Sequence, residues 1–204
     1  MNIKLIDGLH LNHEGVLCNA LDEHVHLRQG DMDGACGPYC LAMAILILDK
    51  TQRANLGSWA NPDYRTQIGK FWKSIKELDP LVLNGTTSVD LQKIIKAYNG
   101  VKSTCFKGAG KQICSEIRQS IDNGFPTIVD VRSRKEEGLN HWTLAIGYSD
   151  DFICLLDPGY ELPTCALWNA TLTSEPTANR MGYRYMNPWR SCDVEMREMV
   201  EIQP

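Results

Sequence analysis

The chain has 204 residues, of which 43% are hydrophobic and 23% charged, as expected for one globular domain with a substantial core. Its formal net charge of -4, without a dense lysine or arginine cluster, argues against nucleic acid as a partner. The longest apolar run, Leu41–Leu48, is far too short to cross a bilayer, and the first residues lack the apolar region of a secretory signal. We therefore expect residues 1–204 to form a single domain with no membrane span, cytoplasmic where it is made.

The chain begins with a mixed segment that holds four of the five histidines, His10, His13, His24 and His26. Their spacing, without a helical frame or a carboxylate pattern nearby, is more typical of surface histidines than of a metal site. The eight cysteines are scattered and form no CxxC pair, which argues against a zinc site and against a disulfide scaffold. We expect no metal and no cofactor.

The next part of the chain, from about residue 30 to 124, has the apolar periodicity of helices. The predicted helices cover Gly37 to about Asp49, residues 66–78, residues 88–98 and about Lys111 to Asn123. Ser88 is the N-cap candidate of the third helix, and Gly124 is the stop of the fourth.

After Gly124 the apolar period changes from that of a helix to that of a strand. Short β-branched or aromatic runs between turn residues predict strands at residues 126–133, 141–148, 152–157, 165–172, 182–187 and 192–202. Helices followed by strands predict an α+β domain, with an antiparallel sheet in residues 125–204.

Cys36 lies among small residues, in the segment GDMDGACGPYCLAM, just before the first predicted helix. Pro38 has no amide hydrogen and a pre-set φ, which suits the first turn of a helix and places Cys36 at its N-terminus. The free amides and the dipole there favour the thiolate, which is the reactive form of cysteine. Gly34 and Ala35 leave room for a substrate backbone. Taken alone, the segment fits a structural cysteine in a glycine-rich turn equally well.

His141 opens one predicted strand and Asp157 ends the next, an even number of positions later. A three-residue loop would put both side chains on the same face of the hairpin, directly opposite or diagonal according to its centre. A two-residue loop would put them on opposite faces. On the same face, the carboxylate can fix the tautomer of the imidazole and stabilise its charged form. Asp157 also has a plainer interpretation as a turn residue in the tripeptide DPG.

Together, Cys36, His141 and Asp157 supply the thiol, base and orienting carboxylate that a cysteine nucleophile needs. Gln29 can donate its side-chain amide to an oxyanion, with the backbone amide of Cys36 as the second donor. Asn140, beside the histidine, joins Gly34 and Ala35 as an expected substrate-binding residue.

Two segments, QGDMDGACGPYCLAM and HWTLAIGYSDDFICLLDPG, resemble the motifs of papain-like cysteine peptidases, in particular the bacteriocin-processing peptidases that cut after a double glycine. The resemblance implies a papain-like fold and a protein substrate cleaved after Gly-Gly. It implies Cys36 as the nucleophile, His141 as the base, Asp157 as the orienting residue and Gln29 in the oxyanion hole.

A free-standing version of this fold also resembles the peptidase toxins that bacteria deliver into the cytoplasm of competitors by contact-dependent systems. That resemblance implies a cognate immunity protein as a partner. Two alternatives stay open on the residues themselves. Glutamine deamidation or transglutamination would use the same acyl-enzyme, and a binding module would keep the fold without chemistry, although all four site residues are present.

Overall fold

The computed structural model describes residues 2–30, 34–57, 61–78, 85–133, 140–177 and 182–204. The helices of this part are α1 (Cys36–Ile47), α2 (Arg53–Leu56), α3 (Gln67–Lys76), α4 (Ser88–Tyr98) and α5 (Gly110–Asp122). The strands are β1 (Lys4–Leu5), β2 (His10–Leu11), β3 (Leu17–Cys18), β4 (Lys102–Lys107), β5 (Thr127–Ser133), β6 (Asn140–Tyr148), β7 (Phe152–Leu156), β8 (Ala170–Thr173), β9 (Tyr183–Met186) and β10 (Ser191–Gln203). Mixed helix and antiparallel sheet, with the helices mostly first, agrees with the α+β prediction.

Strands β5 to β10 form a closed antiparallel sheet. Its order is β6-β5-β10-β9-β8-β7, and β7 pairs again with β6. Because the sheet is closed, every strand of the ring pairs with a neighbouring strand on both sides. Outside the ring, β1 adds to β6 and β4 adds to β10, while β2 and β3 form a separate pair. The β-branched and aromatic runs predicted the strands of the antiparallel sheet but carried no information on its closure.

Three local predictions need correction. The part predicted to be helical, residues 30–124, contains the strand β4, which pairs with β10 far along the chain. The strand predicted at 165–172 begins only at Ala170, because Cys165 has a positive φ of 65° and lies in a turn. Ser88 is not the N-cap of α4. Thr87 caps the helix in a reciprocal pair with Asp90, and Ser88 instead donates to Glu198 at 2.8 Å.

Helix α1 runs through the core. Every one of its residues except Tyr39 is buried, as expected for a helix that is apolar all round. At its start, a Cβ on Gly37 would lie 2.2 Å from Thr86 Oγ1 and 3.2 Å from Trp142 Cδ1, so a glycine is needed for this close approach to β6. The N-terminus of α1 is therefore held directly beside the strand that carries His141. No helix among the described residues is both long and apolar enough to span a membrane.

Candidate active site

Cys36 is the first residue of α1, with Ala35 as the N-cap. Pro38 occupies the first turn, as predicted, and among the described residues no side chain caps this end of the helix. Cys36 is 5% exposed, and its Sγ accepts a hydrogen bond from the backbone amide of Trp142 at 3.5 Å. The sulfur therefore lies between the N-terminus of a buried helix and the beginning of β6.

His141 lies against both Cys36 and Asp157. Its Nε2 is 2.6 Å from Asp157 Oδ1, and the two side chains are 14% and 0% exposed. Because Nε2 faces Asp157, Nδ1 is the ring nitrogen available to the Cys36 sulfur. Burial opposes a charge on the imidazole, but the charge of Asp157 and the hydrogen bonds to Asp157 and Cys36 outweigh it and raise the pKa of His141 to about 10. The ring is an imidazolium at neutral pH.

Asp157 keeps its negative charge although it is completely buried. Burial raises the pKa of a carboxyl group, but the charge of His141 and the hydrogen bonds from His141, Tyr185 and Gly159 bring the pKa of Asp157 below its usual value. The amide of Gly159 donates to Oδ1 at 2.8 Å, and the hydroxyl of Tyr185 donates to Oδ2. The carboxylate is therefore ionised and held by donors on both oxygens.

The β6–β7 hairpin brings His141 and Asp157 to the same face through a change of register. Near the turn, Tyr148 pairs with Ile153, a register that would leave the two side chains on opposite faces. An irregularity between Ala145 and Gly147 shifts the pairing, so that Ala145 pairs with Leu155. The shifted register places His141 and Asp157 diagonally on one face.

The backbone around Asp157 is held by residues that the motifs do not contain. Asn169, which is 6% exposed, accepts from the Asp157 amide at 2.7 Å and donates to the carbonyls of Asp157 at 2.9 Å and Tyr160 at 3.0 Å. His26 Nε2 lies 3.3 Å from the same Asp157 carbonyl oxygen. In the sequence, the only sign of these contacts is that Asn169 lies inside an otherwise apolar predicted strand, because a buried side-chain amide needs hydrogen-bond partners.

Of the other predicted site residues, Gln29 lies beside the end of the β6–β7 hairpin, whereas Asn140 faces away from His141. The backbone amide of Gln29 donates to the Pro158 carbonyl at 2.8 Å, and this bond holds the Gln29 backbone beside the end of the hairpin. The side-chain oxygen Oε1 of Gln29 is buried. Residues 31–33, which connect it to Gly34, lie outside the described residues. Asn140 is exposed at the start of β6, and strand alternation puts its side chain on the face opposite to that of His141.

A cavity of about 600 Å³ opens beside the N-terminus of α1. Ala35 lines it directly before Cys36, together with residues of α1, α2 and α3 and the segment that leads to Gln29. Its wall includes Leu27, Arg28, Tyr39, Leu56 and Trp72. Ala35 is therefore the one expected substrate-binding residue that borders this space.

Comparison with known proteins gives a likeness of fold. No family model and no curated protein matches the sequence. In structure, the chain is similar to UfSP from C. elegans, with a TM-score of 0.51 and 12% identity over 100% of this chain and 34% of that one. The chain thus spans about a third of the length of that protein, and at this identity the similarity is one of fold alone.

Two peptidase structures are similar at TM-scores below 0.5. One is a double glycine motif protease from an AMS/PCAT transporter in complex with the leader peptide, at a TM-score of 0.48 and 13% identity over 88% of this chain and 90% of that one. The other is the peptidase domain of Streptococcus ComA, a bifunctional ABC transporter of a quorum-sensing pathway. Its TM-score is 0.45, with 15% identity over 87% of this chain and 96% of that one.

The two cysteines of α1 should differ in reactivity. At about pH 6, Cys36 should be alkylated faster than the exposed Cys165, because its sulfur lies at the N-terminus of α1 and beside the His141 ring. Cys40 should be the slowest, since it is fully buried and burial raises its pKa well above the ordinary value. Peptide mapping after timed iodoacetamide treatment measures the three rates. A Cys36 rate that is unchanged in His141→Ala would contradict this expectation.

Proposed function

We propose that the protein is a cysteine peptidase in which Cys36 is the nucleophile, His141 the acid and base, and Asp157 the residue that orients the histidine. The observation that carries the proposal is the arrangement of these three groups. A cysteine at a helix N-terminus lies beside a histidine whose Nε2 is 2.6 Å from a fully buried carboxylate. A raised histidine pKa in such a pair is typical of catalytic sites rather than of core histidines.

In the proposed reaction, the Cys36 thiolate attacks the carbon of the scissile carbonyl, and the carbonyl electron pair moves to its oxygen. Collapse of the tetrahedral intermediate breaks the C–N bond, and the His141 imidazolium gives its proton to the leaving amine. The neutral His141 then takes a proton from water, whose hydroxide attacks the thioester. The second collapse releases the carboxylic acid product and restores the thiolate and the imidazolium.

The proposed oxyanion hole consists of the Cys36 backbone amide and the side chain of Gln29. The Cys36 amide belongs to the first residue of α1, where backbone N–H groups have no partner inside the helix and can bind an anion. The backbone of Gln29 is held beside Asp157 by its bond to Pro158, so its side chain starts next to the cluster. Both donors would strengthen their bonds as charge develops on the oxygen.

The roles predict a graded series of losses. Cys36→Ala and His141→Ala should each abolish turnover, because the nucleophile or the base is absent. Asp157→Asn should retain some activity if orientation is its main role, and Gln29→Ala should lower kcat by about 10²–10³-fold. Steady-state kinetics on one peptide substrate measures these values, with Cys165→Ala as a control outside the site. Full activity of Gln29→Ala would move the oxyanion hole to other donors.

We further propose that cleavage follows Gly-Gly, which rests on the resemblance of the Cys36 and His141 segments to double-glycine peptidases. Glycine would be selected by exclusion, since a narrow groove rejects any Cβ while the absence of a side chain forfeits few contacts. Deamidation or transglutamination through the same acyl-enzyme is the competing chemistry.

A set of three peptides tests the preference. The protein should cleave a peptide with a Gly-Gly site and should leave variants with alanine at either glycine largely uncut, because the added Cβ would collide with the groove. Mass spectrometry of the products measures cleavage. Equal cleavage of all three peptides would contradict the Gly-Gly preference while leaving the cysteine mechanism in place. An intact peptide that changes mass at a glutamine would instead identify deamidation or transglutamination.

The role of an effector delivered into competing cells, with a cognate immunity protein, also rests on the resemblance of the motifs. Expression of the wild-type protein in the bacterial cytoplasm should arrest growth, and Cys36→Ala should not, because toxicity would require peptide-bond cleavage. Growth curves, with the two proteins expressed at equal levels, measure the effect. Normal growth with the wild-type protein in every bacterium tried would favour a maturation peptidase over an effector.

A further inference from the structure

The second oxygen of the Asp157 carboxylate is bound by a residue on a distant strand. Tyr185 lies on β9, which is separated from β7 by β8, and its hydroxyl donates to Asp157 Oδ2. Tyr185 is 0% exposed, so its ring is fixed by the core of the closed sheet. The carboxylate is thus held from two sides, by His141 at Oδ1 and by Tyr185 at Oδ2.

The direction of this hydrogen bond is set by the neighbours of the hydroxyl. Asn187 Nδ2 donates to the Tyr185 oxygen at 3.5 Å, which turns the hydroxyl proton toward Asp157. Burial, followed by the negative charge of Asp157, raises the pKa of Tyr185 far above its usual value, so the hydroxyl keeps its proton and is the donor to Asp157 at neutral pH. Tyr185 cannot exchange roles with the carboxylate.

A buried carboxylate oxygen without a donor is costly and would be relieved by protonation or by rotation of the group. Oδ1 has two donors, His141 Nε2 at 2.6 Å and the Gly159 amide at 2.8 Å. The Tyr185 hydroxyl is the donor to Oδ2 among the described residues. Without it, Oδ2 would lose this donor inside the core, and the carboxylate would keep only the two contacts at Oδ1 to hold its charge and orientation.

We propose that Tyr185 is a positioning residue that holds the Asp157 carboxylate ionised and oriented with Oδ1 toward His141. It touches neither substrate nor the reacting sulfur and acts through Asp157 and His141. The inference rests on the proposed function, because it assigns the residue that supports the same Cys36–His141–Asp157 site. It adds a fourth side chain that neither sequence motif contains.

Tyr185→Phe tests the proposal, because it keeps the buried ring and removes only the hydroxyl. We expect kcat to fall about tenfold, the equivalent of one hydrogen bond to a charged group, with KM unchanged. We also expect Asp157 to protonate at a higher pH than in the wild type, since a donor that lowers its pKa is lost. Nuclear magnetic resonance of ¹³C-labelled aspartate carboxyl groups measures that titration without any substrate.

Tyr98→Phe is the matched control. It removes a buried tyrosine hydroxyl that donates to the Lys50 carbonyl at 2.8 Å, away from the candidate site. The control should lose some thermal stability while its kcat and its Asp157 titration stay at wild-type values. If Tyr185 had only a structural role, Tyr185→Phe would also keep the wild-type kcat and the wild-type Asp157 titration.

A second variant serves if Tyr185→Phe does not fold. Fluorotyrosine placed at position 185 by codon suppression keeps the ring and the hydroxyl but makes the hydroxyl a stronger donor. It should move the Asp157 titration to lower pH, opposite to Tyr185→Phe. An unchanged titration in both variants, or a kcat of Tyr185→Phe equal to that of the wild type, would overturn the proposal.

The outcomes separate this inference from the proposed function. If the wild type cleaves its substrates and Tyr185→Phe is equally active, Tyr185 is not a positioning residue and the peptidase proposal stands. If the wild type shows no Cys36-dependent chemistry, the peptidase proposal fails. In that case the carboxyl titration alone decides whether Tyr185 controls the ionisation of Asp157.

Discussion

The candidate site depends on the register of one hairpin. The shift between Ala145 and Gly147 in β6 is what turns His141 and Asp157 to the same face. The N-terminal strand β1 holds this irregularity in place, since the amide of Ile6 donates to the Ile146 carbonyl at 2.9 Å. A Cβ at position 147 would lie 2.4 Å from Leu5 Cδ2, so β1 can approach only a glycine there. A segment far from the site in sequence thus packs against the irregularity that places His141 and Asp157 on one face.

Burial of a full charge explains why so many groups converge on Asp157. A carboxylate removed from water loses its solvation, and its attraction to a partner compensates only when the geometry is good and the remaining lone pairs are satisfied. Here the His141 imidazolium, the Gly159 amide and the Tyr185 hydroxyl supply those contacts, while Asn169 fixes the backbone. Removing one partner of such a buried pair typically costs about 3–5 kcal/mol of stability. The cluster is therefore a structural unit as well as a candidate site.

Trp142 joins the helix to the sheet. Its backbone amide donates to Cys36 Sγ at 3.5 Å, its carbonyl accepts from Cys40 Sγ at 3.3 Å, and its Nε1 donates to the Thr86 carbonyl at 2.7 Å. The first two bonds fix α1 against β6 one residue after His141, and the third joins β6 to the segment before α4. Because Gly37 has no side chain to hold the helix away, the sulfur and the imidazole come within reach of each other.

The sequence by itself determined the local parts of this protein. Pro38 and the apolar run after it place Cys36 at a helix N-terminus, and short β-branched or aromatic runs predict β5, β6, β7 and β10. The chemistry of a thiol, an imidazole and a carboxylate indicates the cluster. Only the tertiary structure decided the closure of the sheet, the pairing of β4, the register shift in β6 and the contact of Tyr185 with Asp157. The physical reason is that propensity and periodicity describe neighbours along the chain. Strand pairing and buried hydrogen bonds are chosen instead by the packing of residues that the chain brings together from a distance.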